Sequence, residues 1–368
     1  MRHPQFRYAI VTGLLLGWTL LLQACTSFDT PSGDEPNAPI KVKVVVVAMF
    51  ERGESRGDEA GELQLWVERL GLDIEHEFVM GQDVLYMNND GVMAILLGGG
   101  IPNATASTMA LGLDDRFDLT ESYWLIAGIA GADPADLSLG SAAWANHVVD
   151  GDLLYEIDGR EIPDDWPYGM IPLGGDGPTT NPDDLLGGWT VDTIAYTLNP
   201  QLVNWAHSIT RDIEIEDGPG MKAYRAQYQN YPQAQLPPFV TIGDSMSSST
   251  YWHGKLMNQW ANDWIKLYRG EDANFMTSGM EDSGTLTALT RLSRDGRVDM
   301  ERVLVLRTAS NFTMPPDDQT ASWSHEQPYP DGGRPSIEAA FVVGNTVVQA
   351  LLAGWDKYQD SIPQATAE

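Results

Sequence analysis

Residues 41–48 read KVKVVVVA. A β-branched run with no polar alternation after Lys43 suits a strand buried on both faces, as found where helices cover a parallel or mixed sheet. Helical and strand-like segments alternate after it. Residues 59–70 place Leu63, Leu65, Trp66, Val67 and Leu70 at amphipathic spacing before Gly71, which predicts a helix. Residues 84–87 and 92–97 flank Asn88-Asn89-Asp90-Gly91 and predict a hairpin. Further strands are expected at 123–129, 239–242, 274–277 and 303–308. Helices are expected at 104–111, 256–267 and 281–292, with a closing helix at 337–358 kinked at Gly344. Residues 158–200 carry Pro, Gly, Asp and Trp without a periodic apolar pattern and read as a long surface excursion. This alternation predicts an α/β fold.

The chain opens on an export signal. Arg2 and Arg7 precede an apolar run over residues 8–22, and Leu22-Gln23-Ala24-Cys25 closes it. Cys25 is the only cysteine of the 368 residues. The pattern reads as a bacterial lipoprotein signal over residues 1–24, with Cys25 lipidated. Residues 25–39 read as a flexible tether and 40–360 as a single domain. The apolar run falls short of the ~20 residues that span a bilayer comfortably, and no other membrane span is read from the sequence. Thr26 follows the cysteine where Asp would favour inner-membrane retention, so the expected location is the outer membrane, facing the periplasm.

The chain carries 52 acidic and 22 basic residues, a formal charge of −30. Such a surface repels nucleic acid and anionic lipid, so neither is an expected partner; contact with the membrane runs through the lipid alone. A hydrophobic content of 43% excludes a disordered chain. A HExxH helix, an EF-hand loop, a Gly-x-Ser-x-Gly elbow and a GKS or GKT phosphate loop are all missing from the sequence. No metal and no cofactor is therefore predicted.

Four segments stand out chemically. In Gly98-Gly99-Gly100-Ile101-Pro102-Asn103, glycines between a strand and a helix offer backbone amides to an anion, or serve only as a tight turn; Asn103 is placed to cap the helix. Gly279-Met280-Glu281-Asp282 sets paired carboxylates at a helix start, where they answer the helix dipole or grip two ribose hydroxyls. Asn311, after the strand at 303–308, offers a donor and an acceptor to a heterocycle edge. Tyr251, Trp252 and His253 offer flat faces for stacking and one titratable ring.

Taken in order, GGGIPNATAS (98–107), YWLIAGIAGADP (123–134), TIGDSMSSSTYWHG (241–254), FMTSGMEDSGTLTAL (275–289) and RTASNFTMPP (307–316) resemble the purine nucleoside permease family, a group of exported proteins. The likeness runs from about residue 40 to about residue 355. That family in turn resembles nucleoside phosphorylases and nucleosidases, which implies a three-layer α/β/α fold with a mixed central sheet.

The resemblance places Glu281 and Met280 on the ribose. It places Asn311 on the purine edge and Gly128 in the wall of the base pocket, beside Tyr251 and Trp252, which their flat rings make the candidates for stacking. Gly99 and Gly100 fall at the phosphate pocket, with Arg52 and Arg56 of the first loop as candidate phosphate ligands. Ala48-Met49-x-Glu51 resembles the start of nucleosidases, which makes Glu51 the candidate water-activating base. Two departures stand out: the strand at 123–129 lacks the arginine that phosphorylases carry there, and Asn311 has no ionisable proton for a departing purine.

The expected function is purine nucleoside binding in support of nucleoside transport. The alternative is a phosphorylase or nucleosidase cleaving the N-glycosidic bond slowly, with inorganic phosphate a co-substrate only for a phosphorylase. A homo-oligomer or a separate membrane transporter stays open as a further partner.

Overall fold

The computed structural model describes residues 38–185 and 191–365. The leader, Cys25 and most of the tether lie outside the described residues. The valine run forms β1 (Val44–Ala48), every residue of it buried. Around it stand β2 (Ile74–His76), β3 (Leu85–Met87), β4 (Val92–Leu96), β5 (Tyr123–Ala132), β6 (Ala142–Asp150), β7 (Ala195–Thr197), β8 (Val240–Ser247), β9 (Phe275–Gly279) and β10 (Val303–Phe312). They make one ten-stranded sheet in the order β7-β6-β8-β9-β5-β1-β4-β3-β2, with β10 joining β5 and β6. The sheet is mixed: β1 runs parallel to β4 and β5, whereas β9 meets β5 and β10 meets β6 antiparallel. A strand buried on both faces needs cover on both, and the three-layer α/β/α architecture supplies it.

The pairing also closes on itself. β5 pairs β10, β10 pairs β6, β6 pairs β8, β8 pairs β9, and β9 returns to β5 through Thr277–Ala132 and Ser278–Gly131. This closure pinches the ends of β5 and β9 together. In an open α/β sheet, ligands collect at carboxyl ends of strands, and the candidate site forms at this pinch.

The helices are α1 (Gln64–Arg69), α2 (Ile101–Gly112), α3 (Pro200–Thr210), α4 (Pro219–Arg225), α5 (Lys255–Arg269), α6 (Asp282–Arg294), α7 (Ala321–His325), α8 (Arg334–Ala353) and α9 (Trp355–Tyr358). Several depart from the sequence expectation. α1 begins five residues late, because residues 52–61 form a loop that folds back onto Glu51. α8 runs straight through Gly344 and breaks at Gly354 instead. A Cβ on Gly344 would sit 2.9 Å from Trp66 and 3.2 Å from Leu125, so the glycine lets the helix lie close on the sheet. By length and composition, Pro330–Ala353 qualifies as a membrane span at mean hydropathy 1.5, which the sequence reading passed over. More than half of its most apolar window is buried inside the protein, with Val343, Val347 and Val348 in the main core.

β6 was not anticipated either. Its sequence AAWANHVVD mixes small and polar residues, and its fitness as a strand comes from partners far along the chain. His147 Nδ1 lies 2.8 Å from Asp244 Oδ1, and the same carboxylate accepts from the His147 amide. Among its described residues the excursion at 158–200 holds short pieces: Met170–Pro172 against Leu154–Glu156, a single turn at Pro182–Asp184, and β7 against β6.

Candidate functional site

A cavity of about 320 Å³ opens where β5, β9 and β10 end. That volume lies at the small end of the range for small-molecule sites, ~300–1,000 Å³. Its charged floor centres on Arg307 of β10, which is 1% exposed. The guanidinium donates to Asp282 Oδ1 at 2.6 Å from Nη2, to both Asp282 oxygens at 3.1 Å from Nε, and to the Ile129 carbonyl at 3.1 Å from Nη1. Glu281 Oε2 stands 3.4 Å from Nη2. Burial works against the arginine's charge, yet the carboxylates of Asp282 and Glu281 outweigh it and raise its pKa. A Cβ on Gly279 would lie 2.8 Å from the guanidinium, so this glycine is what lets β9 pass so close.

Glu281 opens α6 and is almost fully buried. Its Oε1 accepts from the Gly100 amide at 3.1 Å and its Oε2 from the Met280 amide at 3.2 Å. Burial raises its pKa, with Arg307 and these amides pulling the other way. Met280 lines the cavity beside it. Two amides at this turn are committed within the protein: Gly100 to Glu281, and Ile101 to Ser249 Oγ at 3.0 Å. Gly99 and Gly100 do not line the cavity, and Asn103 caps nothing; its Nδ2 donates back to the Gly99 carbonyl at 2.8 Å.

Glu51, the expected water-activating base, does not line the cavity. Glu51 Oε2 accepts from the Leu63 and Gln64 amides at 2.9 and 2.6 Å, and Oε1 from the Arg52 and Gly61 amides. Four backbone donors, of which only Leu63 and Gln64 lie at the start of α1, hold that carboxylate outside the cavity wall. By tying the loop shut, it delivers Glu62 to the site instead. Glu62 lines the cavity, 4% exposed, with Oε2 accepting from Met49 N at 2.9 Å and Oε1 from Ile129 N at 2.7 Å. Burial pushes its carboxyl up to about 7, against the pull of Arg307. Gly128 faces Glu62 from behind: an added Cβ would overlap both Met49 and the Glu62 carboxylate. Gly128 thus makes room for the acid and does not wall the base.

The two arginines of the first loop separate. Arg52 lines the cavity, bonded to Glu59 at 2.6 Å and to the Gly332 carbonyl at 3.0 Å. Arg56 reaches Leu72 O at 2.9 Å and Asp73 at 3.2 Å, away from the cavity lining.

Asn311 lies within β10 itself, since that strand runs four residues beyond its expected end. The β5–β10 register shifts between Ala309 and Asn311, and a bulge of this kind re-aims the side chain that follows it. Asn311 Nδ2 donates to Tyr251 Oη and to Phe312 O, both at 3.2 Å, while Ser310 Oγ donates to its Oδ1 at 3.1 Å. Tyr251 and Trp252 both line the cavity. Trp252 is buried, its ring 5.8 Å from Trp260 and 5.9 Å from Phe275, which anchors it from the far side. His253 points away from the cavity, and burial lowers its pKa to about 4.

Sequence reasoning missed Arg307 and Glu62. An arginine inside the apolar strand VLVLRTAS was a readable signal, because arginine is almost never fully buried without a partner. Glu62 offered no such signal. Its role depends on how the loop before it closes.

A family profile described as purine nucleoside permease matches residues 41–363. A purine nucleoside permease of Candida albicans is 30% identical over 283 residues, 76% of this chain and 68% of its own length. A probable purine nucleoside permease of Schizosaccharomyces pombe is 32% identical over 285 residues, 74% of this chain and 78% of its own. Among solved structures, a methylthioadenosine/adenosylhomocysteine nucleosidase of Colwellia psychrerythraea in complex with adenine aligns at TM-score 0.48 and 15% identity, covering 86% of this chain and 95% of its own. Futalosine hydrolase of Helicobacter pylori aligns at TM-score 0.47 and 16% identity, covering 85% and 98%.

Proposed function

The chain belongs to the purine nucleoside permease family, and from that premise we propose that its cavity binds a purine nucleoside in support of nucleoside uptake. The observation that carries this reading is the joint presence, in one cavity, of the Glu281 carboxylate and the Asn311 amide. A carboxylate has about four acceptor sites, so Glu281 keeps capacity for a ribose hydroxyl beyond its two backbone amides and the Arg307 guanidinium. Asn311 turns its amide to the purine edge near N7, and Tyr251 and Trp252 supply aromatic surface for the base.

Calorimetry with inosine, adenosine and uridine tests the assignment. Asn311→Ala should lower purine nucleoside affinity by about tenfold, the loss expected for one directed hydrogen bond of ~1–1.5 kcal/mol. Uridine, lacking N7, should bind poorly and change little. Equal losses for inosine and uridine would count against Asn311 as the purine contact.

The envelope location belongs to the same proposal. Cys25 carries the lipid, and the domain holds its nucleoside at the outer membrane, on the periplasmic side, beside a separate transporter. Cys25→Ala should abolish labelling by a radioactive fatty acid and release the protein from the membrane fraction. Persistent labelling in that variant would overturn the anchor.

One observation favours a second reading. Glu62 is a buried carboxyl poised near neutrality at the cavity wall, which suits a general base for water. In that reading water attacks C1′ as Glu62 takes its proton. The C1′–N9 bond breaks with its electron pair passing to the purine, which must then gain a proton. Asn311 has none to give, so the turnover expected is slow. Phosphorolysis fits less well: Glu62, Glu281 and Asp282 already surround the guanidinium of Arg307, Arg52 is paired with Glu59, and a phosphate would enter among like charges.

A further inference from the structure

A second chamber of about 220 Å³ lies next to the main cavity, and the two share Asn311, Tyr251 and Tyr329. The partition is made of side chains. Asn311 Nδ2 donates to Tyr251 Oη at 3.2 Å, and Tyr329 completes the shared wall. Tyr251 is 45% exposed, so no close packing locks the middle member of this screen. Behind it the walls are largely aromatic. Phe312 and Tyr224 lie nearly parallel, with ring centroids 6.4 Å apart and an interplanar angle of 26°. Tyr251 packs against His325 at 6.0 Å. Ser324 and Gln327 add polar edges.

We propose that this chamber receives a flat apolar substituent carried on C6 of the purine, so that the site's substrate class includes nucleosides of N6-substituted adenine. The inference rests on the nucleoside reading above. A purine edge that accepts from Asn311 Nδ2 takes the place now held by the Tyr251 hydroxyl. The released tyrosine no longer closes the partition. On a purine, C6 is the ring position whose exocyclic group projects beside N7, toward that opening. Aromatic walls on both sides favour a flat ring by dispersion and by offset stacking. Besides Ser324 and Gln327, the polar groups of the chamber belong mostly to aromatic rings, among them His253, whose two ring nitrogens are buried without a partner among the described residues.

Calorimetry on the mature protein with adenosine and N6-benzyladenosine tests the chamber. N6-benzyladenosine should bind at least as tightly as adenosine. Ser324→Phe and Gln327→Phe each fill the chamber without touching the main cavity. Each should weaken N6-benzyladenosine by about tenfold or more, a loss of ~1.4 kcal/mol, and leave adenosine within about twofold. Two variants are used because Ser324 is buried and its replacement could perturb the short helix α7. If adenosine binds and N6-benzyladenosine binds more weakly, the chamber assignment is overturned while the nucleoside reading stands. Equal effects of a folded filling variant on both ligands, or no effect on either, overturn it in the same way. If adenosine itself fails to bind, the nucleoside reading falls first and the chamber with it.

Discussion

Glu62→Gln should leave inosine binding in place and lower the release of free hypoxanthine by about 10²–10⁴-fold, the contribution usual for a positioned general base. The wild-type rate should depend on pH with a definite sign. The base acts in its ionised form, and burial places its carboxyl at about 7. Hydrolysis should therefore be weak below that value, climb through it, and level off above it. Glutamine keeps the shape of the side chain and one acceptor for the Met49 or Ile129 amide, so retained inosine binding reports an intact site. Added phosphate should not accelerate the reaction, because the Gly100 and Ile101 amides are taken, Arg307 is enclosed by carboxylates and Arg52 is paired with Glu59. A rate that is unchanged in the variant, or one that depends on phosphate, would remove Glu62 from the role.

Glu281→Gln should weaken nucleosides on the order of 10²-fold while changing affinity for the free base much less. The carboxylate is buried beside Arg307, and charge-assisted bonds to ribose hydroxyls in such surroundings are worth ~1.5–3 kcal/mol each. The amide retains one oxygen, so part of the grip survives. Loss of the charge also leaves Arg307 with Asp282 and Glu62 as its facing carboxyls, and a thermal unfolding curve separates that effect from lost binding. The free purine is the internal control, since it carries no ribose to be gripped. Parallel losses for inosine and hypoxanthine would move the ribose contact away from Glu281.

Much of the site was legible because it sits in contiguous motifs. Met280 and Glu281 directly follow the strand β9, and the strand-to-helix junction alone is enough to put them at a carboxyl end. Asn311 was legible for a similar reason, although the bulge that aims it was not. The expected phosphate contacts scatter: Arg52 lines the cavity, whereas Gly99, Gly100 and Arg56 do not. Glycine amides at a helix start look like an anion site, and here the anion is the chain's own Glu281, 181 residues away. Arg56 has the right charge and the wrong neighbours, held by Leu72 O and Asp73.

By itself, the sequence determined what depends on local pattern. The valine run of β1, the hairpin of β3 and β4, the amphipathic α5 and the helix start at Glu281 follow from periodicity, turn residues and propensity, which act over a few residues. The family likeness is carried by the same short stretches. Tertiary structure alone decided the rest. The closure of β5, β10, β6, β8 and β9 rests on pairings between strands far apart in the chain, and β6 is held by β7, β8 and β10 and by the contact of His147 with Asp244. The exchange of Glu51 for Glu62 has the same cause. Two glutamates eleven residues apart are chemically alike in the sequence, and only loop closure decides which one meets four backbone amides and which one is buried against Arg307. Burial and opposite charge set a carboxyl's pKa, and both come from neighbours that the chain brings together only by folding.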